Sequence, residues 1–389
     1  LLLKILNEIK YIFSDLCTEE KTQYVEYILL CHDDHRSVIC NSKYYSPLTD
    51  SILDKLNNSG FSSRSFAIPY SKLSRGQAYG NPHSLSGPYS RARVIQKIYQ
   101  FSIGKFKKNR SDRKLIVRFW INFLKKYNPR EVICVQPSEE LCSAGKICGV
   151  LISDIQHGIM DETRYYGSRE NWQFSKEGVP DRVYCWDEHS ASTIKKKWSQ
   201  VDAVVFGNPF FQRLKISHKE FLDAKSEYIL DKLMGKRVVL ISLQYDENSL
   251  STIDIPQEIV ESIKSCQVDG VTFCVKFHPV QLRNISHNKL INIFKKTYGD
   301  KLWHSIIDVS DVPLLISLKF INYQIAASSA SAIDAANFKV KTGFWEQNKK
   351  IENWFRSYID SGFVEFLPKN HIEISKKISL ELSLLKNPS

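Results

Sequence analysis

Two short stretches carry residue types suited to holding a phosphate. The first is Val271-Thr-Phe-Cys-Val-Lys-Phe-His-Pro279. Val271, Phe273, Val275 and Phe277 alternate with smaller or polar residues, so the run reads as a strand. Pro279 cannot donate to a sheet ladder, so the strand stops and leaves the His278 imidazole at its carboxyl end. Open α/β sheets bind ligands at those ends. The second stretch is Phe320-Ile-Asn-Tyr-Gln-Ile-Ala-Ala327, a short strand that opens into Ser328-Ser-Ala-Ser-Ala-Ile-Asp334. A helix starting there offers backbone N–H groups, its positive end and the hydroxyls of Ser328, Ser329 and Ser331. Together these make a phosphate pocket that needs no metal. Each has a plain structural alternative, a satisfied core histidine and an ordinary serine cap; their occurrence in this order favours the pocket.

Both stretches sit in a longer alternation of strand and helix. Glu131-Val-Ile-Cys-Val135 reads as a strand, Gln136-Pro-Ser-Glu-Glu140 as its exit and a helix start, and Gly149–Ile155 as the next strand. That strand runs into Gln156-His-Gly158. Strands at Arg182–Trp186 and Ala203–Phe206 follow, the latter ending in Gly207-Asn-Pro209. Residues 210–236 read as a charged, helical hinge. A second series then begins at Lys236–Leu243, with a helix at 256–265, the strand at 271–277, a helix at 288–297 and a short strand near Trp303–Ile307. Alternation twice over predicts two Rossmann-like domains facing a cleft, residues 1–206 and 207–389. Before the first series, residues 1–40 read as an amphipathic helix, with Leu2, Leu6, Ile9 and Phe13 on one face, followed by Ser37-Val-Ile-Cys40. Residues 61–90 read as a long loop, because Gly76, Gly80, Pro82, Gly87 and Pro88 interrupt them.

Composition narrows the class. Hydrophobic residues make up 43% and charged residues 25%, which fits a globular chain rather than a disordered one. No run is apolar enough to span a bilayer. The nine cysteines show no CxxC pairs, which predicts reduced thiols in the cytosol and no zinc site. The net charge of +12 is uneven: from Arg91 to Arg130 there are thirteen Lys/Arg and one acid, Asp112. Such a block suits anionic lipid, a polyanionic substrate or nucleic acid, or it is a solvated helix face. Tyr99, Phe101, Phe106, Phe119 and Trp120 interleave it. No zinc-finger, RRM or KH pattern is present, so nucleic acid ranks below the others.

Asp154-Ile-Gln-His-Gly158, Gly207-Asn-Pro209, Lys276-Phe-His-Pro279 and Ser328-Ser-Ala-Ser331 occur in that order. The order resembles bacterial GT-B glycosyltransferases of surface-polysaccharide synthesis (capsule or O-antigen), and more closely those using CMP-activated acidic sugars, the sialyl-, Kdo- and pseudaminyl-type transferases. The resemblance covers roughly residues 130–340. It implies a metal-independent, cofactor-free transferase that moves a nonulosonic acid from a CMP donor to a lipid-linked or oligosaccharide acceptor. By that resemblance His278, Pro279, Ser328 and Ser329 hold the CMP moiety. Residues 1–206 are then the acceptor-side domain, and 207–389, with its C-terminal helix, the nucleotide-sugar domain. The protein would be cytoplasmic and peripheral to the inner membrane, with the basic block against anionic lipid. The sialyltransferase pattern of two acids followed by glycine is absent; Glu139-Glu140 lacks the glycine, and Asp154 stands where other members carry an acid before Gln-His-Gly.

The chemistry assigns roles. There is no Asp-x-Asp motif, so the phosphate charge falls to His278, Ser328, Ser329, Ser331 and the helix start behind them. A departing monophosphate gains stabilisation from hydrogen bonding or protonation by His278. Asp154 is a general base or a nucleophile; His157 is the base instead, or binds the sugar carboxylate. Gln156 and Asn208 line the donor, and Gly158 admits close backbone approach. Arg164, Tyr165 and Tyr166 contact donor or acceptor, Trp345 lines the cleft floor, and Lys276 lies on the same strand face as His278 and reaches solvent. The structural alternatives are a capped turn at Asp154, a buried hydrogen-bonding His157 and a plain turn at Asn208. Two further readings remain: a CDP-glycerol or CDP-ribitol phosphotransferase, whose families also combine His-Gly, His-Pro and Ser-Ser motifs, and a nucleic-acid-binding α/β protein using the basic block.

Overall fold

The computed structural model describes residues 24–68, 73, 76–102, 114–160, 164–165, 169–170, 176–245, 251–268 and 270–384. The helix expected at Leu2–Phe13 lies outside them, as do Lys105, Lys107, Lys108, Arg110 and Arg113 of the basic block. The chain divides into two compact units, Leu1–Ser217 and His218–Ser389.

The first unit is built on seven parallel strands: Tyr27–Cys31 (β1), Ser63–Ala67 (β2), His83–Ser84 (β3), Glu131–Cys134 (β4), Leu151–Ile155 (β5), Arg182–Cys185 (β6) and Asp202–Val205 (β7). Their order across the sheet is β7-β6-β5-β4-β1-β2-β3. Pairs such as Leu29↔Ile133 and Cys134↔Asp154 fix the register. The order reverses between β1 and β4, so their carboxyl ends flank the crevice of a doubly wound sheet. The central strands β1 and β4 are buried on both faces, which is why Ile28–Cys31 and Val132–Cys134 are unbroken apolar runs. Six helices of this unit are Thr49–Asn58 (α1), Ser86–Ser102 (α2), Lys114–Tyr127 (α3), Glu139–Cys148 (α4), Glu188–Lys197 (α5) and Pro209–Ile216 (α6). Helices α3 and α4 bury Trp120, Phe123, Leu124, Leu141 and Cys142 against Val132 and Ile152. Gly145 marks the closest approach: a Cβ there would collide with the Ile152 side chain and sit 2.9 Å from the Val150 carbonyl oxygen. Gly145→Ala should therefore cost about 2 kcal/mol in urea unfolding, the usual penalty for overpacking.

The second unit repeats the plan with six parallel strands: Val238–Ser242 (β8), Thr272–Lys276 (β9), Ile307–Asp308 (β10), Tyr323–Ala326 (β11), Lys341–Phe344 (β12) and Val364–Phe366 (β13). Their order is β10-β9-β8-β11-β12-β13, so the reversal falls between β8 and β11. Helices Gln257–Val268 (α7), Pro279–Asn284 (α8), His287–Tyr298 (α9), Ser331–Asn337 (α10) and His371–Leu384 (α11) connect or cover the strands. One core holds Val239, Ile241, Ile259, Phe273, Val275, Phe294 and Ile325. Trp345, expected at the floor of a cleft, is partly buried against this core.

Several expectations move. The boundary falls after Ser217, not at 206/207. The reason is local: α6 belongs to the first unit, where Arg213 pairs with Asp54 at 2.9 Å and Phe210 lies 6.1 Å from the Tyr45 ring. The long loop expected at 61–90 contains β2, β3 and the start of α2, and the span 1–40 contains the central strand β1. No helix among the described residues is long and apolar enough to cross a membrane. None of the eight described cysteines is disulfide-bonded.

Candidate functional site

The carboxyl edge of the second sheet is shaped by the exits of β8, β9 and β11. His278 leaves β9 and caps α8, its Nδ1 accepting from the Val280 N–H at 3.2 Å, with Pro279 in the first helical turn. That bond occupies the Nδ1 lone pair, so the proton sits on Nε2, which can donate. Its ring stacks obliquely on Tyr245, which leaves β8, at 4.6 Å between centroids. Burial, aided by the charge of Arg283, pulls the imidazole down to about 4. At neutral pH His278 is thus an uncharged hydrogen-bond donor. In the unliganded protein it is therefore set up for the first of the two roles expected for it, hydrogen bonding to a phosphate.

The serine stretch follows β11. The helix begins at Ser331 and not at Ser328, and it is only seven residues long, with no side-chain cap at Ala330. The Ser328 hydroxyl donates to Glu346 at 3.1 Å, and Ser329 Oγ accepts from the Ser331 N–H at 3.2 Å. Ser331 Oγ accepts from Gln324 Nε2 at 2.6 Å. Gln324 is buried, also donates to Ser242 at 2.7 Å and accepts from Thr342 at 3.2 Å. This crossbar pins the start of α10 to β8, β11 and β12. Ser331 is therefore placed as an anchor, while Ser328 and Ser329 remain half-exposed in the loop.

Lys276 is half-buried, and its ammonium turns to backbone carbonyls rather than extending into solvent. Its ammonium donates to the carbonyls of Val309 and Ser310, each at 3.2 Å, and to that of Val312. Burial lowers it to about 8 against the opposing charges of Asp308 and Asp311. It locks the β10 exit onto β9. Beside it His287 Nε2 meets Asp308 at 2.7 Å. Hydrogen bonding to Asp308 raises His287, and against the pull of burial His287 and Ser310 hold the Asp308 carboxyl low.

In the first unit the β5 exit is built differently from the expectation. Asp154 is 0% exposed, and its carboxylate accepts from the Gln136 N–H at 2.9 Å. Gln136 leaves β4 in a left-handed conformation, φ 52°, so Asp154 braces a strained turn at the switch point. Sealed within the sheet, it is not positioned as a base or nucleophile for a bound sugar. Gln156 is also fully buried: Nε2 donates to the Gly158 carbonyl and to Ser190, both at 2.9 Å, and Oε1 accepts from Trp186 N at 2.7 Å. It shapes the turn that presents His157, and is not free to line a donor. His157 itself is half-exposed, and a Cβ at the adjacent Gly158 would meet open space. Asn208 caps α6, accepting from Phe210 N at 3.0 Å, ahead of Pro209 at the helix start; Gly207-Asn-Pro209 is a helix entry and not an open loop. Glu139 and Glu140 occupy the first turn of α4, capped by Ser138. Arg164-Tyr165 pairs with Arg169-Glu170 in a short antiparallel ribbon, and Tyr166 lies outside the described residues.

Sequence reasoning missed the loop after β1. His35 lies 5.8 Å from the His157 ring, and His32 lies 6.3 Å from His35. Across the intervening β4, the ends of β1 and β5 thus bring imidazoles together at the switch point of the first sheet. Arg36 holds this loop: its buried guanidinium meets Asp50 at 2.5 Å and the carbonyls of Tyr44 and Tyr79 at 3.2 and 3.3 Å. Asp33 accepts from Leu73 N at 3.0 Å. The signal was present as Cys31-His-Asp-Asp-His-Arg36, but only as the exit of a strand that had not been recognised.

No family model matches the chain, and no curated protein matches it. Solved structures do. The UDP-GlcNAc 2-epimerase from Methanocaldococcus jannaschii is 13% identical, with 94% of each chain covered and a TM-score of 0.55. The UDP-GlcNAc 2-epimerase from Neisseria meningitidis bound to UDP-GlcNAc is 10% identical over 93% of this chain and 95% of its own, with a TM-score of 0.56. The spinosyn rhamnosyltransferase SpnG complexed with thymidine diphosphate is 12% identical over 92% of both chains, with a TM-score of 0.51. At these identities the likeness is one of fold: the chain has the mixed α/β, parallel-sheet GT-B fold, built from two Rossmann-like units.

Proposed function

We propose that this protein is a nucleotide-sugar enzyme, and specifically a glycosyltransferase that moves a nonulosonic acid-type sugar from a CMP donor to a surface-glycan acceptor. The nucleotide belongs at the switch point of the second sheet, on the Tyr245–His278 and Ser328–Ser329 exits. The neighbours bound to UDP-GlcNAc and to thymidine diphosphate support nucleotide binding by this fold.

The observation favouring a single donor phosphate is the low positive charge of that edge. The exits at 243–245, 277–279 and 327–331 contain no lysine or arginine. His278 is neutral, the Lys276 ammonium is committed to three carbonyls, and Ser328 is bonded to an acid. Hydrogen-bond donors with a single cation nearby, Arg283 of α8, suit the smaller charge of a monophosphate better than a diphosphate. In the transfer, His278 Nε2–H stabilises the phosphate as the sugar leaves. On the acceptor side we assign the base to His157 with His35 beside it, in place of the buried Asp154.

A second reading is a UDP-sugar enzyme of the epimerase type, favoured by the likeness to the UDP-GlcNAc 2-epimerases. A thermal-shift panel with CMP, UMP, CDP and UDP separates the two. CMP is expected to raise the melting temperature at lower concentration than the other three. A response to UDP alone would overturn the CMP assignment, and transfer of a polyol phosphate from a CDP donor to an acceptor would favour the phosphotransferase reading.

A further inference from the structure

Helices α2 and α3 pack side by side on the first unit. Helix α3 turns Ile116, Trp120, Phe123 and Leu124 into the core and exposes Lys114, Arg118, Asn122, Lys125 and Lys126. Steps of four, four, three and one place those residues on one helix face. Helix α2 exposes Arg91, Ile95 and Ile98 at the same kind of spacing, and the two isoleucines are 57% and 58% exposed. Across the described residues 86–102 and 114–130 there is no acid at all.

We propose that this two-helix face docks on an anionic lipid bilayer. A cationic stripe without acids is complementary to a negative leaflet, and neighbouring lysines and arginines add their attraction at its surface. The two bare isoleucines supply what electrostatics alone lacks, an aliphatic pair that enters the acyl boundary while the cations stay among headgroups. The aromatic side chains of the described residues argue against nucleic acid. Binding of single strands uses exposed aromatic platforms. Here Tyr89, Phe119, Trp120 and Phe123 instead pack edge-on against one another, at 5.5, 5.0 and 5.6 Å between successive centroids, as part of the unit's core.

The test is sedimentation of the full chain with vesicles of phosphatidylcholine alone or with 30% phosphatidylglycerol, a content on the order of that in anionic leaflets. Binding is expected only to the anionic vesicles and should weaken as salt rises. The joint change of Lys114, Arg118, Lys125 and Lys126 to Gln should lower the partition constant roughly 1,000-fold. Ile95→Ser with Ile98→Ser should lower it roughly 10-fold. None of these residues belongs to the nucleotide site, so the thermal shift with CMP should persist in both variants; this keeps the surface separable from the proposed reaction. Hydrogen exchange of the unaltered protein on vesicles provides a readout that needs no variant, with protection expected in 86–102 and 114–127. Equal binding to neutral vesicles, protection confined to other segments, or retention of single-stranded RNA at about 150 mM salt without vesicle binding would each overturn the proposal.

Discussion

His278→Asn is expected to lower the rate of CMP release from a CMP-nonulosonate donor by about 100- to 1,000-fold, the usual effect of deleting one donor to a developing oxyanion. Asparagine is the informative replacement. The native imidazole caps α8 through Nδ1, and asparagine is among the best residues at such a position, so the helix keeps its cap while the Nε2 donor is lost. His278→Ala removes both and should also cost about 1 kcal/mol of stability. A near-native rate in the Asn variant would remove His278 from the reaction. The same substitution has a second signature. Burial pulls the native imidazole down to about 4 from 6.5, so between those values the unfolded chain binds a proton that the folded one refuses. The stability tied to this group is complete above pH 6.5 and is lost as pH falls toward 4, a decline of about 2 kcal/mol between pH 7 and 5. Denaturation midpoints of His278→Asn should show that part of the acid limb flattened.

How much of this was legible follows from what each strand had to hide. β8, β9 and β11 were read from sequence as apolar runs, and the exits of β9 and β11 with them, because a proline and a serine cluster stop those two. β1 was not, because Tyr27-Ile-Leu-Leu-Cys31 is buried on both faces and has no period to tell it from a helix. β2 was hidden for the opposite reason. Ser63-Arg-Ser-Phe-Ala67 is too polar to look like a central strand, and only its pairing with β1 makes it one. The same limits govern the site. His278 and the Ser328–Ser329 loop are local features that a strand end announces. The proximity of His35 and His157 depends on two strands separated by a third, which no local pattern encodes. Asp154 was placed correctly at a strand end, but β5 lies inside the sheet, where alternation no longer separates a solvent face from a buried one.

The largest stability effect is expected at Arg36, and it reaches the His35 loop. Arg36 and Asp50 are both almost fully buried and meet at 2.5 Å, with the Ser46 N–H also donating to Asp50 at 2.7 Å. Burial pushes the Asp50 carboxyl up to about 7, and the guanidinium is the main influence opposing that rise. Arg36→Met keeps much of the volume and removes the charge. It strands the carboxylate and the carbonyls of Tyr44 and Tyr79, for a loss of about 3–5 kcal/mol in urea unfolding. Without Arg36 the Asp50 carboxyl must rise further and take a proton across neutral pH. A carboxyl raised in the folded state binds its proton there and not in the unfolded chain, so its contribution is fullest near its unfolded value of 3.8 and is lost as pH rises. The deficit of Arg36→Met should therefore be smaller at pH 5 than at pH 8, and Arg36→Met with Asp50→Leu should recover much of it by leaving no buried charge. Because Arg36 directly follows His35, the single variant should also loosen the imidazole pair. NMR would then show the loss of through-space contact between the His35 and His157 rings, while CMP still shifts the melting temperature through the second unit. Retention of the native pair in a protein destabilised by several kcal/mol would show instead that the β1 exit is held by Asp33 and Leu73, without need of the buried ion pair.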